Sequence, residues 1–180
     1  MIEVLVSLLI LSVLAASAWK GLDAISTARQ VAEDNLQQTL RLQAVMTQFE
    51  TDLAQVLDTQ VTQGFQFDGA ALRMTRRSPS GVQVVVWSLR EGRWQRWASA
   101  ESTQVGGLQR AWQQSQQLLG RERGTLVALR GVAQWQVFCF RNGAMSNCQS
   151  SGDVVRGAAG ADALSGLREQ LPQAVRLQLV

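Results

Sequence analysis

Glu50, Asp52 and Asp58 are the densest carboxylates of the chain, and paired carboxylates are the groups that acid–base catalysis would draw on. The sequence offers them little help. It has no histidine and two cysteines, so neither a Ser-His-Asp triad nor a zinc site of the usual His and Cys kinds can be assembled. These three carboxylates therefore read as surface charge, with no catalytic residue, metal ligand or cofactor site, and the chain reads as something other than an enzyme.

Cys139 and Cys148 flank Arg141-Asn142-Gly143, and Asn-Gly is a strong hairpin signal. A two-residue loop there sets Cys139 opposite Ser146, with Cys148 as its diagonal neighbour on the same face. The expected diagonal separation of about 7–8 Å is longer than a disulfide favours, so the spacing leaves a Cys139–Cys148 bond open, and then only in an oxidising compartment.

The net charge of +3 and the pI near 9.6 raise nucleic acid as a partner. The arginines argue against it, because they are scattered. Arg76-Arg77 lies beside a turn-like Ser78-Pro79-Ser80-Gly81, and Arg73 and Arg96 alternate on strands as the wet side of a sheet would. No nucleic-acid partner is expected.

The elements carrying these residues follow from periodicity. From Val4 to Trp19 no charge occurs, and Ser7, Ser12 and Ser17 can bond to their own helix backbone. Such a run covers roughly 24 Å, slightly short of the hydrocarbon core of a bilayer. Trp19 and Lys20 close it as an interfacial anchor. Apolar residues then recur at helical spacing through Leu22, Ile25, Leu36, Leu40, Val45, Phe49 and Leu53 to Leu57, with no proline before Pro79, which predicts one helix to about residue 57. Its first third is apolar all round, and only the rest can pack on a soluble domain.

Beyond it, Phe65–Phe67 and Ala71–Thr75 read as a hairpin, and Val82–Leu89 as a strand buried on both faces. Glu91-Gly92 turns the chain into Trp94–Ala98. Leu108–Leu119 fits helix or strand. Val132–Arg141 and the closing "AVRLQLV" alternate as strands, and Ser150–Gln170 reads as a mobile loop. Trp87, Trp94, Trp97 and Trp135 fall on strands, where core packing is the simplest role. The fold class is α+β: residues 1–19 as the membrane part of a long helix, 20–57 as its amphipathic part packed on an antiparallel sheet, and 58–180 as a β-rich head.

Glu3 does not suit a plain anchor, since a charge near the bilayer centre costs about 2.5–3.5 kcal/mol. "IEVLVSLLILSVLA" resembles the mature start of type IV pilins and pseudopilins, with Glu3 matching the glutamate that closes that motif. "WKGLDAI", "QFETDLAQV" and "LPQAVRLQLV" resemble the J-type minor pseudopilins of the type II secretion system, the general secretion pathway protein J family. The resemblance implies a pilin-like fold and a structural role at the tip of a periplasmic pseudopilus. Its implied partners are the I-type and K-type minor pseudopilins and the major pseudopilin, within the inner membrane. It also implies a prepilin peptidase acting on a basic leader, expected upstream of Met1. Glu3 would then pair with the amino terminus of a neighbouring subunit. The head would be periplasmic, where a Cys139–Cys148 bridge is chemically permitted. Two other readings stand beside it: a minor pilin of a type IV pilus, and an anchored or secreted ligand-binding domain cut after Ala16-Ser17-Ala18, with tryptophans on a concave face.

Overall fold

The computed structural model describes residues 2–141, 143–149, 154–156, 167–169 and 171–180. Its first element is a single helix, α1 (Ile2–Ala54), as the absence of proline and the density of Leu, Ala and Gln favour. The chain divides into two compact units, 1–44 and 45–180, so the last turns of α1 belong to the second.

In the first unit the side chains of α1 are exposed throughout. Ser7, Ser12 and Ser17 donate to the carbonyls of Glu3, Leu9 and Val13 at 2.9, 2.7 and 2.8 Å, so the hydroxyls are satisfied within the helix as expected. The expected packing of residues 20–57 holds only from Val45 onward: Leu22, Ile25, Leu36, Leu40 and Leu42 are exposed. Helical spacing shows that a face is apolar without showing what covers it.

The helix ends at Ala54 and not at Leu57, because the backbone that follows pairs with a strand. Leu57 N–H donates to Thr75 and Arg77 N–H to Gln55, at 2.8 and 2.9 Å. The second unit is built on a five-strand antiparallel meander: β1 (Phe65–Phe67), β2 (Ala71–Ser78), β3 (Gly81–Arg90), β4 (Arg93–Ala98) and β5 (Thr125–Arg130), in that order. One face carries Phe65, Leu72, Met74, Val85, Trp87 and Trp94 onto Phe49 of α1. The other carries Ala71, Val84, Val86 and Trp97 onto a second helix, α2 (Val105–Ser115), through Leu108. The "VVVW" run of β3 is buried on both faces for this reason. The ambiguous stretch Leu108–Leu119 is thus helical as far as Ser115, with Leu108 buried, while Leu119 lies beyond the helix and is exposed.

A smaller sheet, ordered β10 (Ala174–Leu179), β6 (Trp135–Arg141), β7 (Ala144–Asn147), adds Trp135, Val137 and Cys139 to the first core. β6 starts three residues later than its alternation suggested, since Ala133 and Gln134 instead bond to Val180 through their N–H groups. Within 150–170, β8 (Val154–Arg156) and β9 (Leu167–Glu169) form an antiparallel pair, correcting the loop reading for those residues. The rest of that stretch lies outside the described residues.

Candidate functional site

The sequence singled out Glu3, Trp19 and Lys20 on α1 and the two cysteines in the head. All three helix residues are exposed. They do not converge: Glu3 and Trp19 are separated by roughly 24 Å of helix, so they mark the two ends of an apolar stretch and not one site. α1 is long and apolar enough to cross a membrane. Glu3 lies in that stretch, and Trp19 is 77% exposed at its far end, beside Lys20.

Cys139 and Cys148 form a disulfide. The expected register is present, with Cys139 opposite Ser146 and Arg141 opposite Ala144. The Cα atoms are 5.1 Å apart, closer than a regular diagonal, because β7 ends at Asn147 and Cys148 enters a turn while its N–H donates to Val137 at 3.1 Å. Both cysteines are fully buried in the core they brace.

The most concentrated polar chemistry of the head was read in the sequence as surface, and that reading is corrected here for Asp52, Arg76, Arg96 and Arg73. Asp52 is 0% exposed. It accepts from Arg96 Nε at 2.7 Å and Nη2 at 2.9 Å, from Arg76 Nη1 at 2.7 Å, from the Trp87 indole N–H at 2.9 Å and from Gln48 at 3.1 Å. With the Gln83 amide oxygen turned toward it, Arg76 donates twice more, each at 2.8 Å. Helix α1 thus meets β2, β3 and β4 through one carboxylate. Glu50, Asp58 and Arg77 are exposed, as expected of them.

Asp52 was traceable. It sits within the apolar stripe Phe49, Leu53 and Val56, and strand alternation places Arg76 on the face of Leu72 and Met74, and Arg96 on that of Trp94. A charge on a core-facing position needs an opposite charge nearby. Arg73, on the opposite face, lies under α2 and donates to the Ser115 carbonyl at 3.2 Å and to Asp68 at 2.5 Å.

Two further carboxylates, exposed Asp68 and part-exposed Glu122, organise turns. Asp68 Oδ1 accepts the N–H groups of Ala70 and Ala71 at 2.9 and 2.7 Å, closing the β1–β2 turn. Partial burial pushes its carboxyl upward, but Arg73 and these two N–H groups outweigh burial and hold it below its ordinary 3.8. Desolvation by burial pushes the Glu122 carboxyl upward, but the N–H groups of Leu119, Gly120 and Arg121 that it accepts from together outweigh this and hold it below its ordinary value.

Three of the strand tryptophans, Trp87, Trp94 and Trp135, form a buried group, while Trp97 is buried on the other face of the sheet. Trp87 and Trp94 lie 4.3 Å apart, with Phe49 at 5.3 and 5.5 Å from them and Trp135 at 6.1 Å from Trp94. Packed in this way, they offer no platform for ligand stacking. The layout, a long N-terminal helix followed by an antiparallel sheet with a small second sheet, is α+β and pilin-like. No protein-family model and no curated protein matches this chain.

Proposed function

We propose that the chain is a J-type minor pseudopilin, a structural component of the pseudopilus tip of a type II secretion system. The observation that carries this reading is the continuous helix α1, whose first stretch is apolar, fully exposed and interrupted by Glu3, while its last turns are built into an antiparallel head. An exposed apolar helix requires lipid or other helices around it. Glu3 in such surroundings requires a positive partner, and the amino terminus of a neighbouring subunit supplies one. The head lies in the periplasm on this reading, consistent with its buried disulfide. Tip neighbours are the I-type and K-type minor pseudopilins.

The test is genetic and biochemical. Deleting the gene in the producing bacterium is expected to leave exported proteins in the periplasm. Affinity capture from detergent-solubilised membranes is expected to bring down the I-type and K-type subunits. Glu3→Ala should keep or raise the amount in the membrane while losing that co-capture. Normal export with lost surface pili would move the chain to a type IV pilus; normal export with intact pili would overturn the assembly role altogether.

A further inference from the structure

Phe49 and Asp52 are the only buried side chains among the described residues of α1, and they do different things. Phe49 packs edge-on against the Trp87 ring and at a tilt to Trp94, a ring contact worth less than a charged hydrogen bond. Val45, Met46 and Leu53 flank it, half-buried, so the apolar arc of these turns is broad. A helix advances about 100° per residue, and a broad arc with one aromatic knob admits more than one angular setting against a flat sheet.

Asp52 is directional. Its two oxygens receive a two-pronged contact from Arg96 in β4, a bond from Arg76 in β2 and the indole N–H of Trp87 in β3. The side chains of Arg76 and Arg96 are only 12% and 13% exposed. Any other rotation of α1 would leave one carboxylate and two guanidiniums away from water without partners. The backbone bonds at Gln55 and Leu57 hold the chain after the helix end to β2, one turn beyond Asp52.

We infer that Asp52 is the positioning residue that selects a single rotation of α1 on the sheet, with Arg76, Arg96 and Trp87 as its receptor. Removing two or three charges from water costs about what their attraction returns, so the cluster contributes specificity of setting more than net stability. This inference stands independently of the pseudopilin reading.

The experiment uses the full chain in detergent micelles with 15N-labelled tryptophan, whose six indole N–H signals report each ring. In the apolar triple variant D52L/R76M/R96M, the thermal midpoint is expected to be unchanged or higher, while the Trp87 and Trp94 signals split or broaden and Trp97 stays single. Asp52→Asn keeps an acceptor for Trp87 but strands two guanidiniums. Its midpoint is expected to fall while the Trp87 signal stays single. One sharp set of signals in the triple variant overturns the inference, because packing alone would then choose the rotation. An unfolded triple variant also overturns it, since the cluster would then act through energy and not through selection.

Discussion

Trp87 and Trp94 share one ring contact yet differ at a single atom. The Trp87 indole N–H donates to Asp52, whereas that of Trp94 is buried without a hydrogen-bond partner among the described residues. A bond to a charged group contributes about 1.5–3 kcal/mol, and an unmade buried one costs about 1–3 kcal/mol. Trp87→Phe is therefore expected to destabilise the head by about 2 kcal/mol more than Trp94→Phe, read as the difference in urea unfolding free energy. Asp68 gives a second expectation. Because its carboxyl is held below 3.8 in the folded state, its stabilising effect is complete above that pH and is lost as pH falls through the lowered value. Asp68→Asn should flatten the acid limb of a stability–pH curve measured below about pH 4 and lower stability at neutral pH. At this scale the sequence was least legible. Arg73, Arg76 and Arg96 look like the wet side of strands because arginine usually is; alternation with Leu72 and Trp94 could have reversed that for Arg76 and Arg96, whereas Arg73 needs the knowledge that the second face is covered too.

Elements were easier to read, since their signals are local. The β1–β2 and β3–β4 hairpins, the doubly buried β3 and the Asn142-Gly143 register all follow from alternation and turn residues. α2 did not, because Leu108, Trp112 and Leu119 are too few to separate a short helix from a strand without the sheet face it covers. The β3–β4 turn carries an uncorrected local cost. Glu91 has φ of +50° and Gly92 of +69°, the left-handed pair that a tight hairpin of this type requires. Glutamate tolerates that region poorly, and its ion pair with Arg93 is solvent-exposed and adds little. Glu91→Asn is expected to raise stability by about 0.5–1 kcal/mol, visible as a higher urea midpoint at unchanged slope. A lower midpoint would mean that the Glu91–Arg93 pair outweighs the backbone.

For the molecule as a whole, the long helix was readable because nothing in the sequence interrupts it before Pro79. What surrounds its exposed apolar side chains was not, since neighbours leave no mark on periodicity. The full chain is expected to stay with membranes through an alkaline carbonate wash, and a variant lacking Ile2–Trp19 to be released, as followed by immunoblot. Retention of the shortened variant would place the anchoring force elsewhere. The head, finally, is chemically quiet in a way that its bridged cysteines complete. Histidine and tyrosine are absent from the whole chain, Lys20 is its sole lysine and lies outside residues 45–180, and both thiols are consumed. Every head cation is therefore an arginine, and no side chain there is of a type that ordinarily gains or loses a proton between about pH 6 and 11. By composition, then, the head carries no ordinary titrating side chain for that span, and acidity-dependent docking there would have to draw on the chemistry of whatever it meets.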